Sequence, residues 1–573
     1  MKKIFLYIIA AVAITVSSCD KPLDEVPLDF YTPENSYTNK TQFESALAGI
    51  YLNIRTNFYA NSDAAANYDM LGMDLDLANV ITGTTVTKIR TFGWDNMNAD
   101  NGFASKWWTR LYYIIGQANI IIDRADAPQA IWTSSAEKSA IVGEAKFIRA
   151  FAYHFLANMW GDVPLVLNET NAPKFDYVRA PQQEVYLQCK ADLEFATQNM
   201  PTIDQLKGGR APREAAYHLL TEINICLKNY DAAIAAANAV INGGKCNLMN
   251  TRFGVNKNFT FSGYTYRGKA KPWGDVYWDL FQEGNFNWKE GNKEAIWNIS
   301  QDQTIKGGDN TDVHASGGFF VMDRWWGPAY WASKDIKGVT NFIMDTLQGR
   351  PVANLLVTDY AGNQIWNYKN DFNNDMRNSQ YNIQRTFYYT NPASTFYMQP
   401  ITQANVDIAT LSLWEARVSP HFKKFVNAVP RGLSTDATSK RKNDNGRTWK
   451  DWYIMRLSET YLLRAEAYML KGDLGSAAND INAVRLRAKA TPVIAGDVTM
   501  DLILDERARE LYGEEFRLNT LMRTGKLVEY LNKYNGYLKD NNLKAPDYVK
   551  LLPIPRKEIE ANTGVVMKNN PGY

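Results

Sequence analysis

The chain of 573 residues contains few of the side chains that bind metals or form covalent cross-links. It has only four histidines and four cysteines. The histidines are scattered without the spacing of a metal site, at His154, His218, His314 and His421. Beyond the N-terminal Cys19, three cysteines remain, and an odd number argues weakly against a disulfide framework. A Cys226–Cys246 pair stays open, buried free thiols are favoured, and we expect neither a metal nor a cofactor.

Net charge and catalytic motifs are also sparse. The formal net charge is +2, so no strong basic field points to nucleic acid as a partner. The G-x-S-x-G motif of serine hydrolases and the G-x-x-x-x-G-K-[ST] phosphate-binding loop are both absent from the sequence. We therefore predict that the protein is not an enzyme. A glycoside hydrolase stays open as an alternative, because its carboxylate pair is defined by distance in space rather than by spacing in sequence.

Long apolar runs are missing, and the one short run stands at the N-terminus. A positively charged start precedes the uncharged segment 4–16, which is shorter than the roughly 20 residues of a membrane-spanning helix. This pattern predicts a signal peptide over residues 1–18. The residues Val16-Ser17-Ser18-Cys19 resemble a bacterial lipobox, and an ordinary signal peptide with a chance cysteine is the alternative. We expect acylation of Cys19, a polar tether over 19–40 and a soluble body held at a membrane.

Helical periodicity is present towards both ends of the chain. Apolar residues recur every three or four positions in the segments 41–54, 107–122, 139–160 and 181–200. Two further segments have the spacing of tetratricopeptide repeats, which are helix–turn–helix units with a 34-residue period. Their signature residues are Tyr461, Ala465, Tyr468, Ala477, Ile481 and Val484 in one segment, and Tyr217, Leu220, Ala233, Ala237 and Val240 in the other. Arg464 and Asn224 depart from the repeat, which has Leu and Tyr at those positions.

These patterns predict a mainly α fold: a tetratricopeptide-like helical-repeat scaffold, or α-α superhelix, with a large loop-rich insertion. Each repeat unit needs stacked neighbours to cover its apolar face. We predict an N-terminal helical part over 41–242, an insertion over 243–450 and a C-terminal helical part over 451–573. A structureless loop as long as the insertion is implausible in a compact body, so we expect it to contain turns, short helices and short strands.

The insertion is rich in tryptophan, and flat aromatic faces suit the apolar faces of sugar rings. Seven of the 16 tryptophans lie between Trp273 and Trp331. The predicted ligand-binding residues are Trp273, Trp278, Trp325, Trp326, Trp331, Arg377, Tyr388 and Tyr389, with Asp74 and Asp76 as hydroxyl acceptors from an N-terminal loop. A solvated or capping cluster explains the two aspartates equally well. Any single tryptophan could instead be core, as we predict for Trp297, but we expect at least two of the cluster to face solvent.

Four motifs in order along the chain resemble those of SusD/RagB-type proteins. They are 143–151 running on to 160–165, then 456–468, then 505–511 with 516–517 and 523–526, and finally 552–555 with 569–573. The closing motif Asn-Asn-Pro-Gly-Tyr departs mildly, because the family usually has Gln where Asn569 stands. Single motifs of this kind are weak, but the ordered set spans the whole chain and is specific.

The resemblance implies a surface-exposed lipoprotein of a Bacteroidota outer membrane, with four tetratricopeptide-like units and a loop-rich ligand-binding half. Such a protein binds a nutrient, mostly a glycan, and passes it without catalysis to a TonB-dependent transporter of the SusC type. The resemblance also carries Trp94 over as a ligand contact from the N-terminal loop. A repeat scaffold that binds only protein partners stays open as a further alternative.

Overall fold

The computed structural model describes residues 36–59, 76–82, 85–88, 93–206, 208–263, 269–301, 322, 326–341, 347–349, 351–353, 355–426 and 450–573, with the backbone alone for 76–82 and 85–88. The predicted signal peptide and Cys19 lie outside this range. No helix within it combines the length and the apolar character that a membrane crossing requires.

The helices form two groups of long elements separated by short ones. The α-helices are α1 Lys40–Ile54, α2 Gly102–Arg124, α3 Ser135–Trp160, α4 Gln182–Asn199, α5 Arg213–Cys226, α6 Tyr230–Ile241, α7 Val276–Leu280, α8 Asp359–Gly362, α9 Ile408–Ser412, α10 Trp414–Arg417, α11 Leu457–Lys471, α12 Leu474–Arg487, α13 Met500–Leu511, α14 Arg517–Arg523, α15 Leu527–Tyr534, α16 Gly536–Asp540 and α17 Arg556–Ala561. A π-helical turn spans Arg55–Tyr59, and 3-10 turns span Trp288–Glu290, Tyr330–Ala332, Gln364–Asn373, Met376–Asn378, Lys423–Phe425, Ala495–Asp497 and Asp547–Lys550.

Capping residues define the ends of the long helices, as α3 shows. The side chain of Ser134 accepts a hydrogen bond from the backbone N–H of Glu137 at the start of α3, which satisfies a donor that the helix itself cannot pair. The same helix ends at Gly161, whose φ of 73° is easily reached only without a side chain. Along α2 the predicted periodic residues Trp107, Leu111 and Ile114 are buried, so the helical periodicity is confirmed here.

Neighbouring helices stack in chain order and then continue across the insertion. Helices α2 to α6 pack consecutively, α6 packs against α11, and α11 packs against α12. The contact between α6 and α11 is made by small and branched apolar side chains, namely Ala233, Leu463 and Ala467 with Ile225 at the end of α5. The two predicted repeat segments are therefore direct neighbours, and the predicted mainly α, tetratricopeptide-like fold is confirmed.

The insertion contains turns, short helices and short strands, as the sequence predicted. Along the described chain the strands are β1 Asp76–Thr82, β2 Thr85–Lys88, β3 Val163–Pro164, β4 Arg179–Ala180, β5 Thr260–Phe261, β6 Lys271–Pro272, β7 Ala295–Ile299, β8 Leu355–Val357, β9 Ile383–Gln384, β10 His421–Phe422 and β11 Trp452–Arg456. Of these, β5 to β10 belong to the insertion. The antiparallel pairs are β1–β2, β1–β8, β3–β4, β5–β6, β7–β11 and β9–β10. The pair β7–β11 joins the insertion to the chain that leads into α11, and the exact limits of the three predicted parts stay a prediction.

Trp297 lies in the middle of β7 and is 1% exposed. Its ring meets Phe147 and Phe151 of α3 edge to face, with centroids 5.3 and 5.2 Å apart. Since edge-to-face packing is a favoured geometry for aromatic pairs, this contact fastens the insertion to the helical scaffold. The prediction of Trp297 as core is confirmed.

A connected network of buried ion pairs also joins the insertion to the C-terminal helices. Its cations are Arg377, Lys424, Arg456, Arg485, Arg487 and Arg509, and its anions are Glu294, Asp371, Asp375, Glu506, Glu510 and Glu514. Every member is less than a tenth exposed. Burial alone would raise the pKa of Glu510, but the guanidinium groups around it hold that pKa well below its usual range. We call this set the ion network.

Arg377 belongs to the ion network, and its predicted role in ligand binding is wrong. Its side chain is fully buried, with ion-pair distances of 2.6 Å to Asp375, 2.7 Å to Glu506 and 3.1 Å to Glu510. An arginine surrounded by three carboxylates has its hydrogen-bonding fork occupied by the protein. Arg377 therefore holds the insertion on α13 and cannot reach a ligand.

The three cysteines within the described residues and two of the histidines are structural. Cys189, Cys226 and Cys246 are free thiols, and burial raises the pKa of Cys246 to about 12, so that thiol stays protonated. His154 and His218 are buried within α3 and α5. Burial lowers the pKa of His154, whose Nδ1 lies 2.6 Å from the carbonyl oxygen of Phe151.

Candidate functional site

The N-terminal loop and the tryptophan-rich insertion share one β-sheet. The sequence predicts ligand contacts in each of them separately. The strand order is β2–β1–β8, with Asp76 opposite Val357 and Ala78 opposite Leu355. Trp326 extends the sheet by a parallel bridge to Leu355. This pairing brings residues from distant parts of the chain to one region. The candidate site lies around this sheet.

Of the three ligand contacts predicted in the N-terminal loop, the structure describes the side chain of Trp94 alone. Asp74 lies outside the described residues, and only the backbone of Asp76 is described. Trp94 is 4% exposed and belongs to the main hydrophobic core. This burial contradicts the predicted direct contact of Trp94, because stacking a sugar needs an accessible ring face.

Three of the predicted tryptophans are also core residues. Trp326 is 2% exposed and stacks on Phe425, with ring centroids 4.9 Å apart and planes at 7°. Trp273 and Trp278 are buried in a separate cluster, where Trp273 meets Tyr381 edge to face at 5.0 Å. The segment around them is poor in aliphatic side chains, so aromatic rings fill its interior. Their predicted role as direct contacts is therefore corrected, while Trp325 lies outside the described residues.

Trp331 and Tyr388 are partly exposed, which keeps them as candidates for binding. The indole N–H of Trp331 donates to the carbonyl oxygen of Pro351 at 2.7 Å, which fixes the ring orientation. Trp331 packs on a small cluster together with Phe396 and Trp414, which are also only partly buried. A fixed and partly exposed aromatic group of this kind offers apolar area at low entropic cost. We call Trp331, Phe396 and Trp414 the aromatic surface.

Tyr389 differs from its neighbour Tyr388 because it points into the cluster. It is fully buried, and its hydroxyl donates to the carbonyl oxygen of Asn405 at 2.9 Å. Burial raises the pKa of Tyr389 above its usual value. The hydroxyl is used inside the protein, so the predicted direct contact of Tyr389 is corrected to a supporting position beneath the aromatic surface.

A cavity of about 540 Å³ opens beside β8, at the junction of the insertion and the C-terminal helices. Its lining includes Thr358, Asp359, Asn363 and Gln364 from the insertion, and Lys533, Tyr534, Lys539 and Asp540 from the C-terminal part. Tyr534 stacks on Tyr360, with ring centroids 3.9 Å apart. We call this space the β8 cavity.

Hydrogen bonds within the protein hold the polar side chains of the β8 cavity in place before any ligand binds. Asp359 accepts hydrogen bonds from the side-chain amides of Asn363 at 2.8 Å and Gln364 at 2.7 Å. The amides keep their carbonyl oxygens as acceptors, and each has a second N–H donor. Planar amide and carboxylate groups beside an aromatic side chain suit a saccharide, whose hydroxyls both donate and accept and whose C–H groups pack on apolar surface.

The β8 cavity could not be predicted from the sequence. The segment 359–364 carries a visible signal, because Asp, Tyr, Asn and Gln occur close together there. Nothing local connects that segment to Tyr534, which lies in a helix of the C-terminal part. Within the described residues, no group of three or more His, Cys, Asp or Glu side chains could hold a metal ion.

Two family models match the chain and together span most of it. The model described as "SusD family" matches residues 287–573, half of the chain. The chain belongs to the SusD family. A second model, described as "Starch-binding associating with outer membrane", matches residues 28–225 of this SusD-family protein. The two descriptions support carbohydrate binding and association with the outer membrane as the general role, and the resemblance drawn from the four motifs is confirmed.

Several relatives of this SusD-family protein are distant in sequence but match nearly its whole length. SusD-like protein P25 of Formosa agariphila is 24% identical over 596 residues, covering 97% of each chain. Among solved structures, a laminarin binding SusD-like protein has a TM-score of 0.61 at 22% identity and covers 94% of this chain and 100% of its own. The surface glycan-binding protein A from Bacteroides fluxus has a TM-score of 0.59 at 20% identity, covering 93% of this chain and 99% of its own. At these identities the structures establish the shared fold.

Proposed function

We propose that this protein is a lipid-anchored, surface-exposed protein of the outer membrane that binds a polysaccharide or oligosaccharide nutrient. It delivers this ligand, without changing it, to a TonB-dependent transporter of the SusC type. The observation that carries the proposal is the β8 cavity, where a stacked tyrosine pair stands beside amide and carboxylate groups. Family membership and the glycan-binding names of two structural neighbours support the same ligand class.

The aromatic surface and the β8 cavity have separate roles in this proposal. Trp331 and Tyr388 stack on sugar rings, while Asn363 and Gln364 bond to hydroxyl groups. Asp74, Asp76 and Trp325 remain proposed contacts from the adjoining segments. A glycan chain is long enough to engage several such sites at once, and linked weak contacts raise the overall affinity without any single strong one.

Affinity electrophoresis of the purified full-length protein in gels containing laminarin, starch or other polysaccharides tests the binding. We expect retarded migration in at least one gel, and an intact polysaccharide after prolonged incubation with the protein. Shortened products would favour the glycoside hydrolase alternative. Unchanged migration in every gel would favour a scaffold that binds only proteins.

A further inference from the structure

The tyrosine pair of the β8 cavity is joined to α13 by a hydrogen bond that the proposed ligand contacts do not use. The hydroxyl of Tyr360 donates to a carboxylate oxygen of Asp505 at 2.5 Å. Tyr360 is 4% exposed, so it serves the cavity by supporting other side chains. One of these is Tyr534, which lines the cavity and stacks on Tyr360 with the ring planes at 27°. Asp505 therefore acts on the cavity wall through Tyr360.

A third tyrosine makes the arrangement of the pair dependent on the position of Tyr360. Tyr530 on α15 meets Tyr360 edge to face, with ring centroids 6.3 Å apart and planes at 88°. It also meets Tyr534 at 5.3 Å. Such offset and edge-to-face contacts depend on ring orientation. A rotation of Tyr360 would therefore disturb the ring that lines the cavity.

The segment that carries the amide side chains of the cavity is held by bonds from outside itself. Helix α8 has four residues, and a helix this short is not stable without tertiary contacts. The carbonyl oxygen of Ala361 accepts from the indole N–H of Trp366 at 2.8 Å. The carbonyl oxygen of Gly362 accepts from the guanidinium of Arg385 at 2.5 Å. Side chains thus replace the partners that a longer helix would supply.

Helix α13 provides two attachment points for this segment. Asp505 and Arg509 are four residues apart, so they lie one turn apart on the same face of the helix. Asp505 holds Tyr360, and Arg509 donates to the carbonyl oxygen of Ile365 at 2.8 Å. The two contacts stand on either side of the amide side chains at 363–364. The position of those amides is therefore set from α13.

The ion network does not explain the carboxylate of Asp505. Its neighbour Glu506 pairs with Arg377 and Arg485 at 2.7 and 2.8 Å. Asp505, by contrast, is partly buried, and among the described side chains the one that donates a hydrogen bond to it is Tyr360. Arg509 and Lys533 also interact electrostatically with Asp505. A role through charge alone is therefore the alternative that an experiment has to separate.

We propose that Asp505 is a positioning residue of the glycan site, which fixes the tyrosine pair together with Asn363 and Gln364 for the hydroxyls of the ligand. This inference rests on the proposed function, because that function puts a glycan in the β8 cavity. Asp505 acts on the ligand through Tyr360 rather than by direct contact. It raises the affinity because a site that is already ordered does not have to be ordered by the ligand.

Removing either partner of the Tyr360–Asp505 bond is the first test. The purified full-length variants are compared by affinity electrophoresis in gels that contain laminarin or starch. We expect Asp505→Ala and Tyr360→Phe each to weaken binding about three- to tenfold, the effect of one hydrogen bond. The double variant should bind no more weakly than the single ones, because both changes remove the same bond. Additive losses would overturn the inference.

Two further variants separate the hydrogen bond from the charge of Asp505. Asp505→Asn keeps an oxygen that can accept from Tyr360, so its affinity should stay within about twofold of the wild type. An affinity as low as that of Asp505→Ala would mean that the charge acts on Arg509 or Lys533, and would overturn the inference. Asp501→Ala is the matched control, one turn earlier on α13, where the carboxylate is 52% exposed and pairs with Lys526. It should bind like the wild type.

Hydrogen exchange tests the positioning without any glycan. The backbone N–H groups of Gly362 and Asn363 donate to the carbonyl oxygens of Thr358 and Asp359 at 2.8 and 2.9 Å. Because exchange reports local opening, both amides should exchange faster in the Tyr360→Phe variant, which lacks a single oxygen atom and keeps the ring. This variant also decides the test if Asp505→Ala does not fold. Unchanged exchange at both amides, or an equal acceleration throughout the chain, would overturn the inference.

Binding by Gln364→Ala separates this inference from the function on which it rests. If Gln364→Ala weakens binding while Asp505→Ala and Tyr360→Phe bind like the wild type, the positioning role is overturned and the proposed function stands. If the wild type binds and Gln364→Ala binds equally well, the glycan site lies outside the β8 cavity, which overturns the positioning role but not glycan binding. A wild type that neither gel retards would count against the proposed function and overturn the inference with it.

Discussion

Trp331 and Trp326 lie five residues apart and have opposite surroundings. Trp326 is closed between the sheet and Phe425, whereas Trp331 keeps part of its surface open to solvent beside Phe396 and Trp414. At the scale of one residue, exposure separates a role in binding from a role in packing. Replacing each ring in turn therefore distinguishes the two roles.

We expect Trp331→Ala to weaken glycan binding by about two- to tenfold, which corresponds to the roughly 0.5–1.5 kcal/mol of an aromatic contact. Trp326→Ala should instead cost about 3–5 kcal/mol of unfolding free energy, because it leaves a large cavity. Affinity electrophoresis and urea denaturation measure the two effects. Unchanged binding by Trp331→Ala would place the stacking site elsewhere on the protein.

Glu459 is a second residue whose surroundings lead to a measurable effect. Its carboxylate lies 2.6 Å from Arg507 on α13 and 3.5 Å from the ring of His218 on α5. Burial alone would raise the pKa of Glu459, but the opposing effects of Arg507 and His218 are larger together and lower that pKa to about 2. The unfolded chain has a pKa near 4.3 at this position. The stabilisation is therefore present above about pH 4.5 and is lost as the pH falls towards 2.

We expect Glu459→Gln to lower the unfolding free energy by about 3 kcal/mol at pH 7, and by progressively less below pH 4.5. Urea titrations at pH 7, 5 and 3.5 would measure this trend. Glu529→Gln, at an exposed ion pair with Lys526, is the control and should change little at any pH. A loss of stability that is the same at all three pH values would contradict the charge-based explanation.

At the scale of elements, Arg464 shows how this scaffold departs from the usual repeat. It stands on α11 where the repeat has Leu, and it bonds to Asp480 on α12 at 2.6 and 2.8 Å and also contacts Asn238 on α6. One side chain thus connects three helices of the stack. The departure from the repeat pattern creates an ion pair between helices in place of an apolar contact.

A double-mutant cycle tests this replacement. Arg464→Leu alone should destabilise the protein by about 2–4 kcal/mol, because Asp480 then stays mostly buried without its partner. Arg464→Leu with Asp480→Leu should recover most of that loss, since the apolar pair resembles the usual repeat. Chemical denaturation of the four proteins gives the coupling energy. A coupling below about 0.5 kcal/mol would mean that the two residues act independently.

The helices could be predicted from the sequence because their signals are local. The periodic residues of α2 and the glycine after α3 lie within a few turns of the structure they determine. The pairing of β1 with β8 could not be predicted, because short strands carry weak patterns and the partners lie far apart in the chain. The sequence wrongly predicts Arg377 as a ligand contact for the same reason, since its partners Glu506 and Glu510 are distant in sequence. Exposure of single tryptophans likewise depends on packing partners that no local pattern reveals.

At the scale of the whole molecule, the proposed lipid anchor would set where the protein works. Cys19→Ala should leave the body folded and release it from the membrane fraction, because the proposed acyl chains attach to that thiol. Fractionation of cells in high salt, in a strain without the transporter, measures the effect. A variant that still sediments with outer membranes under those conditions would contradict the anchor.

The ion network has a consequence for how such proteins diversify. Its members from the insertion are two cations and three anions, and those from the C-terminal part are four cations and three anions. Neither set is neutral alone, and a buried charge without its partner costs several kcal/mol. An insertion transplanted from a distant relative would therefore need buried charges that match those of the C-terminal part across the ion network. New ligand preferences should arise by changes in the outer loops of an inherited insertion, not by recombination of whole modules.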